Sequence, residues 1–206
     1  MFRSLPPATR AIILLNVAVF LLQQFAPDAM LSLFALWPLG PQFHPWQVVT
    51  YAFLHGGNLM HGEFAHIFFN MFALFMFGGA LETYWGRRRF VVFYLASVLA
   101  AAGTELLVQG MAQTGEPVIG ASGGVFGLLL GFAWFFPRQR IVLLIPPIPM
   151  PAWLFVTLYG VLELVLGVTG AQASVAHFAH LGGMLGGAIM ILIWRAQDAA
   201  SAQRRR

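Results

Sequence analysis

The sequence has no cysteine, no lysine and very little charge. Without cysteine, disulfides, thiolate metal sites and cysteine nucleophiles are all excluded. Charged residues make up 9% of the 206 residues and hydrophobic residues 59%, whereas a soluble globular domain has about 25% charged residues. A chain of this size cannot hide so much apolar surface from water, but a lipid bilayer can accept it. The composition therefore predicts an integral membrane protein.

Long apolar runs approach the ~20 residues that a helix needs to cross ~30 Å of hydrocarbon. Six such runs cover about residues 10–26, 64–82, 89–110, 119–136, 148–168 and 175–195. They predict an all-α fold, a polytopic membrane helix bundle with six transmembrane helices. The first run could instead be a cleaved secretory signal, but Phe25-Ala26-Pro27-Asp28 is a poor cleavage site and its removal leaves an odd number of spans.

All basic residues are arginines, and in a six-span topology they all lie on one side. They are Arg3, Arg10, Arg87, Arg88, Arg89, Arg138, Arg140, Arg195, Arg204, Arg205 and Arg206. Because arginine-bearing connections stay in the cytoplasm, both termini are predicted to be cytoplasmic. The arginines form small, separated groups, so no nucleic-acid partner is expected despite the net charge of +4.

We expect a single membrane domain over residues 1–206. The longest connection, residues 27–63, is largely apolar and is expected to lie partly in the outer membrane interface as short helical pieces. Residues 196–206 are expected to form a short exposed cytoplasmic tail.

The histidines of the chain all fall towards the outer side of this topology: His44, His55, His61, His66, His177 and His180. Polar groups inside a membrane are costly, so a shared depth is informative. Two acids, Glu105 and Glu163, lie within predicted helices near their outer ends. They are interpreted as interfacial residues with access to water.

The fourth span begins Gly120-Ala121-Ser122-Gly123-Gly124. In a soluble sequence this pattern indicates the nucleophile elbow of an α/β-hydrolase, a fold that the composition excludes. Glycines in a membrane helix usually provide a close-packing surface. Ser122 and Phe126 point away from the glycine stripe, so helix packing does not account for the serine.

A histidine in the sixth span can activate this serine. His180, Gly183 and Gly187 share one helix face, so His180 can approach a neighbouring helix closely. Ser122 and His180 enter from the same side at matching depth, and a neutral histidine beside a serine hydroxyl is the minimum for a nucleophile. No acid is well placed to complete a triad, so a Ser–His dyad is predicted.

The second span begins with His66 and Asn70 on one helix face, again on the outer side. Both side chains offer N–H donors, which acyl transfer needs where negative charge develops on the attacked carbonyl oxygen. Interhelical hydrogen bonds are the alternative role for this pair.

Together these motifs resemble the rhomboid intramembrane serine proteases, in their six-helix bacterial form. The resemblance implies Ser122 as nucleophile and His180 as general base, with an oxyanion hole formed by the Ser122 backbone N–H, His66 and Asn70. It implies supporting positions at Gly120, Phe126, His55, Gly183 and Gly187, and neither a metal nor a cofactor.

The resemblance also implies cleavage of transmembrane segments in single-span or multi-span membrane proteins with helix-destabilising sequences. The expected location is the bacterial inner membrane, with the active site open to the outer side. Phe126 stands where better-studied bacterial members have a tyrosine. Either His55 or His61 corresponds to a further histidine of the family; the sequence around His55 is the more similar.

Two alternatives remain from the sequence. The clustered histidines could bind zinc, although no His-Glu-x-x-His occurs and no carboxylate lies at ligand spacing. The chain could also be a non-catalytic rhomboid-like protein that binds membrane helices, although the presence of both Ser122 and His180 argues against that role.

Overall fold

A computed structural model describes residues 5–112, 116–142, 147–170 and 175–204. Its helices are α1 (Pro7–Gln23), α2 (Pro27–Phe34), α3 (Gln47–Thr50), α4 (Ala65–Trp85), α5 (Arg87–Ala112), α6 (Ser122–Phe135), α7 (Ala152–Thr169) and α8 (His177–Gln203). Strands β1 (Arg140–Val142) and β2 (Pro149–Pro151) pair antiparallel, with Ile141 opposite Met150. The predicted domain limits at residues 1 and 206, and Arg3, Arg205 and Arg206, lie outside the described residues.

Each of the six predicted apolar runs coincides with a helix, and the prediction of an all-α membrane helix bundle is confirmed. Four of these helices, α4, α5, α7 and α8, are long and apolar enough to cross a membrane. Helix α1 has 17 residues and α6 has 14. At 1.5 Å per residue, α6 is only ~21 Å long. It begins later than the predicted run because residues 118–121 form a non-helical segment.

The connection between α1 and α4 contains short helical pieces, as predicted. Besides α2 and α3, these are the 3₁₀ turns Tyr51–Phe53 and Leu59–His61. The Gln23 side chain donates to the His55 carbonyl at 3.0 Å and accepts from the His55 backbone N–H at 3.2 Å. Leu36 and Val118 exchange two backbone hydrogen bonds of 2.9 Å each. The connection is thereby fixed both to α1 and to the segment that leads into α6.

Helix α8 continues to Gln203, beyond the end predicted at residue 195. The added segment is rich in alanine, the best helix former, but has no apolar face that would mark it as helical in the sequence. Asp198 in this segment lies 3.5 Å from Arg89 of α5. The predicted tail is therefore exposed, as expected, but largely helical.

Helices α5, α6 and α8 form the centre of the bundle, where glycines allow close approach. A Cβ added at Gly183 of α8 would overlap the Gly123 carbonyl of α6, and one at Gly127 would overlap the Ser97 side chain of α5. Small residues let helix backbones approach in a membrane, where packing rather than the hydrophobic effect drives association. The glycine stripe of α6 thus has the packing role that its pattern indicates.

Aromatic and arginine side chains join several helix ends at one end of the bundle. The Trp85 and Trp194 rings lie 5.4 Å apart, and the Arg89 guanidinium lies 5.4 Å from the Trp194 ring. The Arg195 guanidinium lies 5.9 Å from the Trp134 ring. The start of α5 and the ends of α4, α6 and α8 therefore share this end.

A buried acid brings the start of α1 to the same end. The Glu82 carboxylate accepts from the backbone N–H groups of Ala8 and Thr9 at 2.9 and 2.7 Å, and from the Thr9 hydroxyl at 2.8 Å. The first N–H groups of a helix lack partners within the helix, and the helix dipole favours a negative charge there. Glu82 thus stabilises the first turn of α1.

Candidate active site

Ser122 and His180 lie within hydrogen-bond distance of each other. Ser122 is the first residue of α6 and His180 lies in the first turn of α8. The distance between Ser122 Oγ and His180 Nε2 is 2.8 Å. His180 is 8% exposed. The glycine contact between α6 and α8 brings these helices close enough for that bond.

Residues 118–121 set the position of Ser122. Val118 pairs with Leu36, and the Gly120 N–H donates to the Tyr51 carbonyl at 2.9 Å. Gly120 has φ +129°, which side-chain-bearing residues rarely adopt. Because α6 begins at Ser122, the Ser122 backbone N–H has no acceptor within the helix and lies at the positive end of the helix dipole.

The His66 ring faces this segment. A Cβ added at Gly120 would lie 3.0 Å from His66 Nε2 and 3.6 Å from Ser122 Oγ, so both atoms border the same space. The Gly56 N–H donates to His66 Nδ1 at 3.2 Å. Since Nδ1 accepts, Nε2 of the neutral ring carries the hydrogen. The structure therefore presents a donor next to the serine.

Asn70 lies one helical turn after His66 in α4. Its side-chain Nδ2 donates to the His66 carbonyl at 2.9 Å, and Asn70 is 7% exposed. An amide nitrogen carries two hydrogens, of which this bond uses one. The bond holds Asn70 in place, while its predicted role as an oxyanion donor stays a prediction.

Phe126 stacks on the His180 ring. Their centroids are 4.2 Å apart with an angle of 7° between the ring planes, and Tyr159 of α7 packs on Phe126 at 5.0 Å. Aromatic packing of this kind restricts ring rotation without a hydrogen bond. A phenylalanine at this position therefore provides the ring contact that His180 needs.

Of the two candidate upstream histidines, the structure brings His55 to the site. His55 is 0% exposed and its ring meets the edge of the His66 ring at 5.0 Å. Burial, with a smaller contribution from His66, lowers the pKa of His55 to about 3. His61 lies exposed in the 3₁₀ turn Leu59–His61. His55 is therefore a neutral ring that packs behind His66.

An acid that the sequence interpretation missed contacts the dyad. Glu163 Oε2 lies 2.8 Å from His180 Nδ1 and 2.7 Å from His177 Nδ1, and Glu163 is 4% exposed. The prediction that no acid is well placed to complete a triad is wrong, and so is the interpretation of Glu163 as an interfacial residue with access to water. The one feature of the sequence that indicated a special role for Glu163 is that it is an acid inside an apolar span.

The same contact corrects the statement that no carboxylate lies at ligand spacing from the histidines. Donor atoms of Glu163, His177 and His180 all lie within 4.8 Å of one another. The cluster has the donor types that zinc accepts. Glu105, the other acid predicted to reach water, is also buried, at 7% exposure.

Comparison with known proteins shows the family of the chain. The family model described as Rhomboid domain matches residues 42–197, about three quarters of the chain. The chain belongs to the rhomboid family. The matched region of this rhomboid includes Ser122, His180 and the residues around them.

Several named relatives are similar to this rhomboid. Rhomboid protein 1, mitochondrial, of Saccharomyces cerevisiae is 34% identical over 73% of this chain and 43% of its own length. Rhomboid protease GlpG of Klebsiella pneumoniae is 32% identical over 62% of the chain and 43% of its own length. Rhomboid protease GlpG of Photorhabdus laumondii is 30% identical over 92% and 62%. The chain thus spans about half the length of these relatives.

Proposed function

We propose that this rhomboid is an intramembrane serine endopeptidase that cleaves transmembrane segments of other membrane proteins. The observation that carries the proposal is the 2.8 Å distance from Ser122 Oγ to His180 Nε2. A base within hydrogen-bond reach converts an otherwise unreactive hydroxyl into a nucleophile. The relatives named rhomboid protease GlpG support the same reaction class.

The proposed reaction is acyl transfer. Ser122 Oγ attacks the scissile carbonyl carbon while its proton passes to His180 Nε2, and the carbonyl electron pair moves to the oxygen. The Ser122 backbone N–H, His66 Nε2–H and Asn70 side chain stabilise that oxyanion. His180 then protonates the leaving amine, and the C–N bond breaks. Water activated by His180 hydrolyses the acyl-enzyme. These steps use neither a metal nor a cofactor.

The proposed substrates are single-span or multi-span membrane proteins. In an intact helix each scissile carbonyl is hydrogen-bonded and shielded from the nucleophile. A cleavable segment must therefore unwind, which small or helix-breaking residues favour. This requirement selects helix-destabilising sequences within the lipid bilayer.

We further propose that residues 1–206 act as one catalytic domain in the bacterial inner membrane, with the connection 27–63 at its outer surface. The distribution of arginines supports cytoplasmic termini. His180 lies near the start of α8, whereas Trp194 and Arg195 lie towards its other end. With the arginine end in the cytoplasm, the site opens to the outer side.

The test uses the purified full chain, a fluorophosphonate probe and a transmembrane peptide substrate. Ser122→Ala abolishes labelling and lowers cleavage by about 10³-fold or more, and His180→Ala has a similar effect, because nucleophile and base act as a unit. Ser201→Ala, at an exposed serine in α8, is the matched control and retains wild-type rates. Labelling or cleavage that persists in Ser122→Ala contradicts the proposal.

The same assay separates the alternatives. Cleavage that a chelator abolishes and zinc restores, without labelling of Ser122, supports a metal site built on the Glu163 cluster. Saturable binding of the peptide by wild-type protein without cleavage or labelling supports a non-catalytic helix-binding protein. Either result overturns the proposed serine chemistry.

A further inference from the structure

Glu163 makes two hydrogen bonds through a single oxygen. Its Oε2 lies 2.7 Å from His177 Nδ1 and 2.8 Å from His180 Nδ1. Both are the distances of charge-assisted hydrogen bonds. An ionised carboxylate only accepts, so both Nδ1 atoms must carry a hydrogen. The contact thus defines the protonation of His180 on the side that faces away from the serine.

That protonation decides what the other nitrogen can do. A neutral imidazole with its hydrogen on Nδ1 has a lone pair on Nε2. His180 Nε2 lies 2.8 Å from Ser122 Oγ, so it accepts the serine proton. The opposite tautomer sets the Nδ1 lone pair against the carboxylate and leaves Nε2 unable to act as a base.

The surroundings of Glu163 make its two donors necessary. The side chains of Glu163 and His177 are each 5% exposed, and that of His180 is 10% exposed. A buried carboxylate is costly unless hydrogen bonds satisfy it. His177, three residues before His180 on the same helix, supplies the second bond and holds the carboxylate in position.

We propose that Glu163 is a positioning residue that completes a Glu163–His180–Ser122 triad, with His177 as the side chain that anchors it. The inference rests on the proposed serine protease function and deepens it. Glu163 holds the productive tautomer of His180 before the reaction. When the Ser122 proton moves to His180 Nε2, the adjacent carboxylate stabilises the imidazolium and stays ionised itself.

The distances favour hydrogen bonds over a metal at this cluster. Ligand atoms of a tetrahedral zinc, each about 2.0–2.1 Å from the ion, lie roughly 3.3 Å apart. The carboxylate oxygen is instead 2.7 and 2.8 Å from the two nitrogens. These distances suit a carboxylate oxygen that accepts two hydrogen bonds and are shorter than the separation of zinc ligands.

The first experiment compares Glu163→Gln with wild type in cleavage and in fluorophosphonate labelling. We expect kcat and the labelling rate to fall by about 10–10³-fold while KM changes by less than about 3-fold, because His180 acts on the chemical step and not on peptide binding. Glu163→Asp keeps the charge and is expected to recover part of the loss. Equal kcat in wild type and Glu163→Gln overturns the proposal.

Glu105→Gln is the matched control. Glu105 is a second buried acid, in α5, whereas the described hydrogen bonds of the His180 ring go to Glu163 and Ser122. Glu105→Gln removes this acid without removing a hydrogen bond of His180, so the tautomer is expected to stay the same and kcat to stay within about 3-fold of wild type. A loss equal to that of Glu163→Gln would mean that any buried charge near His180 has this effect, which contradicts positioning by Glu163.

The anchor role of His177 has its own pair of variants. In His177→Asn the side-chain amide can donate from nearly the position of Nδ1, so activity is expected within about 3-fold of wild type. His177→Ala removes the donor and is expected to lower kcat by about 10-fold or more. Equal activity of the two variants contradicts the role of His177 in anchoring Glu163.

A spectroscopic measurement separates positioning from a structural role. In ¹⁵N spectra of histidine-labelled protein at neutral pH, His180, assigned by comparison with His180→Asn, should show hydrogen on Nδ1 and none on Nε2 in wild type. In Glu163→Gln the Nε2–H form should become populated while Tm stays near wild type. Hydrogen on Nε2 in wild type overturns the proposal. A loss of Tm with an unchanged tautomer likewise shows a purely structural role.

These outcomes are distinguishable from failure of the proposed function. If no peptide is cleaved, the tautomer and the labelling rate still report whether Glu163 prepares His180. If Ser122→Ala keeps its cleavage activity, the serine mechanism fails even where the tautomer is as expected. Release of zinc from purified wild type, with loss of that zinc in Glu163→Gln, would replace the positioning role by a metal site.

Discussion

At the residue scale, hydrogen-bond partners decide which ring nitrogen of His180 and of His66 carries the hydrogen. His180 Nδ1 faces Glu163 and Nε2 faces the serine, whereas His66 Nδ1 accepts from the Gly56 N–H and leaves Nε2 as a donor. The two histidines are therefore prepared for opposite tasks, one as base and one as donor. Different hydrogen-bond partners, rather than different residue types, separate their roles.

His55 behaves differently because it is buried without hydrogen bonds to either ring nitrogen among the described residues. Burial lowers its pKa to about 3, against about 6.5 in an unfolded chain. Between these values the unfolded chain binds more protons than the native one, so stability falls as pH drops. The stability that comes from the neutral state of His55 is fully present above pH ~6.5. As pH falls below that value, it decreases by up to about 1.4 kcal/mol for each pH unit.

We therefore predict that His55→Phe flattens the dependence of stability on pH. Thermal unfolding in detergent between about pH 4.5 and 6.5 should show a smaller decline of Tm towards acid than in wild type. His61→Phe, the same change at an exposed histidine, is the control and should follow the wild-type slope. Parallel slopes for wild type and His55→Phe would contradict the buried neutral state of His55.

At the scale of elements, the active geometry depends on how closely α6 and α8 pack. Ser122 and His180 each lie in the first turn of their helix. Glycines further along the two helices let their backbones approach closely. A wider separation would lengthen the 2.8 Å bond between the two side chains. The glycines of α8 thus serve the site through the helix contact rather than through any chemistry of their own.

We predict that Gly183→Ala strongly destabilises the protein, because the added Cβ would overlap the Gly123 carbonyl. Overpacking of this kind costs about 1–3 kcal/mol or more. Tm and fluorophosphonate labelling should both fall. Gly103→Ala in α5 is the matched control: a Cβ there meets nothing within 4 Å, so stability should be equal or slightly higher. Wild-type Tm and labelling in Gly183→Ala would show that α6 and α8 do not depend on this contact.

At the scale of the whole molecule, hydropathy was enough to predict the membrane bundle, because long apolar runs have few alternatives in a bilayer. The pairing of Ser122 with His180 was also predictable, since both residues have the same depth in glycine-bearing helices. The contact between Glu163 and His180 was not predictable, because the sequence gives the depth of a residue in α7 but not the rotation of that helix about its axis. Helical residues after 195 were missed because an exposed alanine-rich segment has no apolar periodicity.

The orientation of the whole molecule is testable because the chain has no cysteine, so any introduced cysteine is unique. Met60 is 89% exposed in the connection before α4, and Ser201 is exposed near the end of α8. With the arginine end in the cytoplasm, Met60→Cys should react with a membrane-impermeant maleimide in intact spheroplasts of a bacterial expression host. Ser201→Cys should react only after permeabilisation. The reverse pattern would place the arginine end outside and would turn the proposed active site towards the cytoplasm.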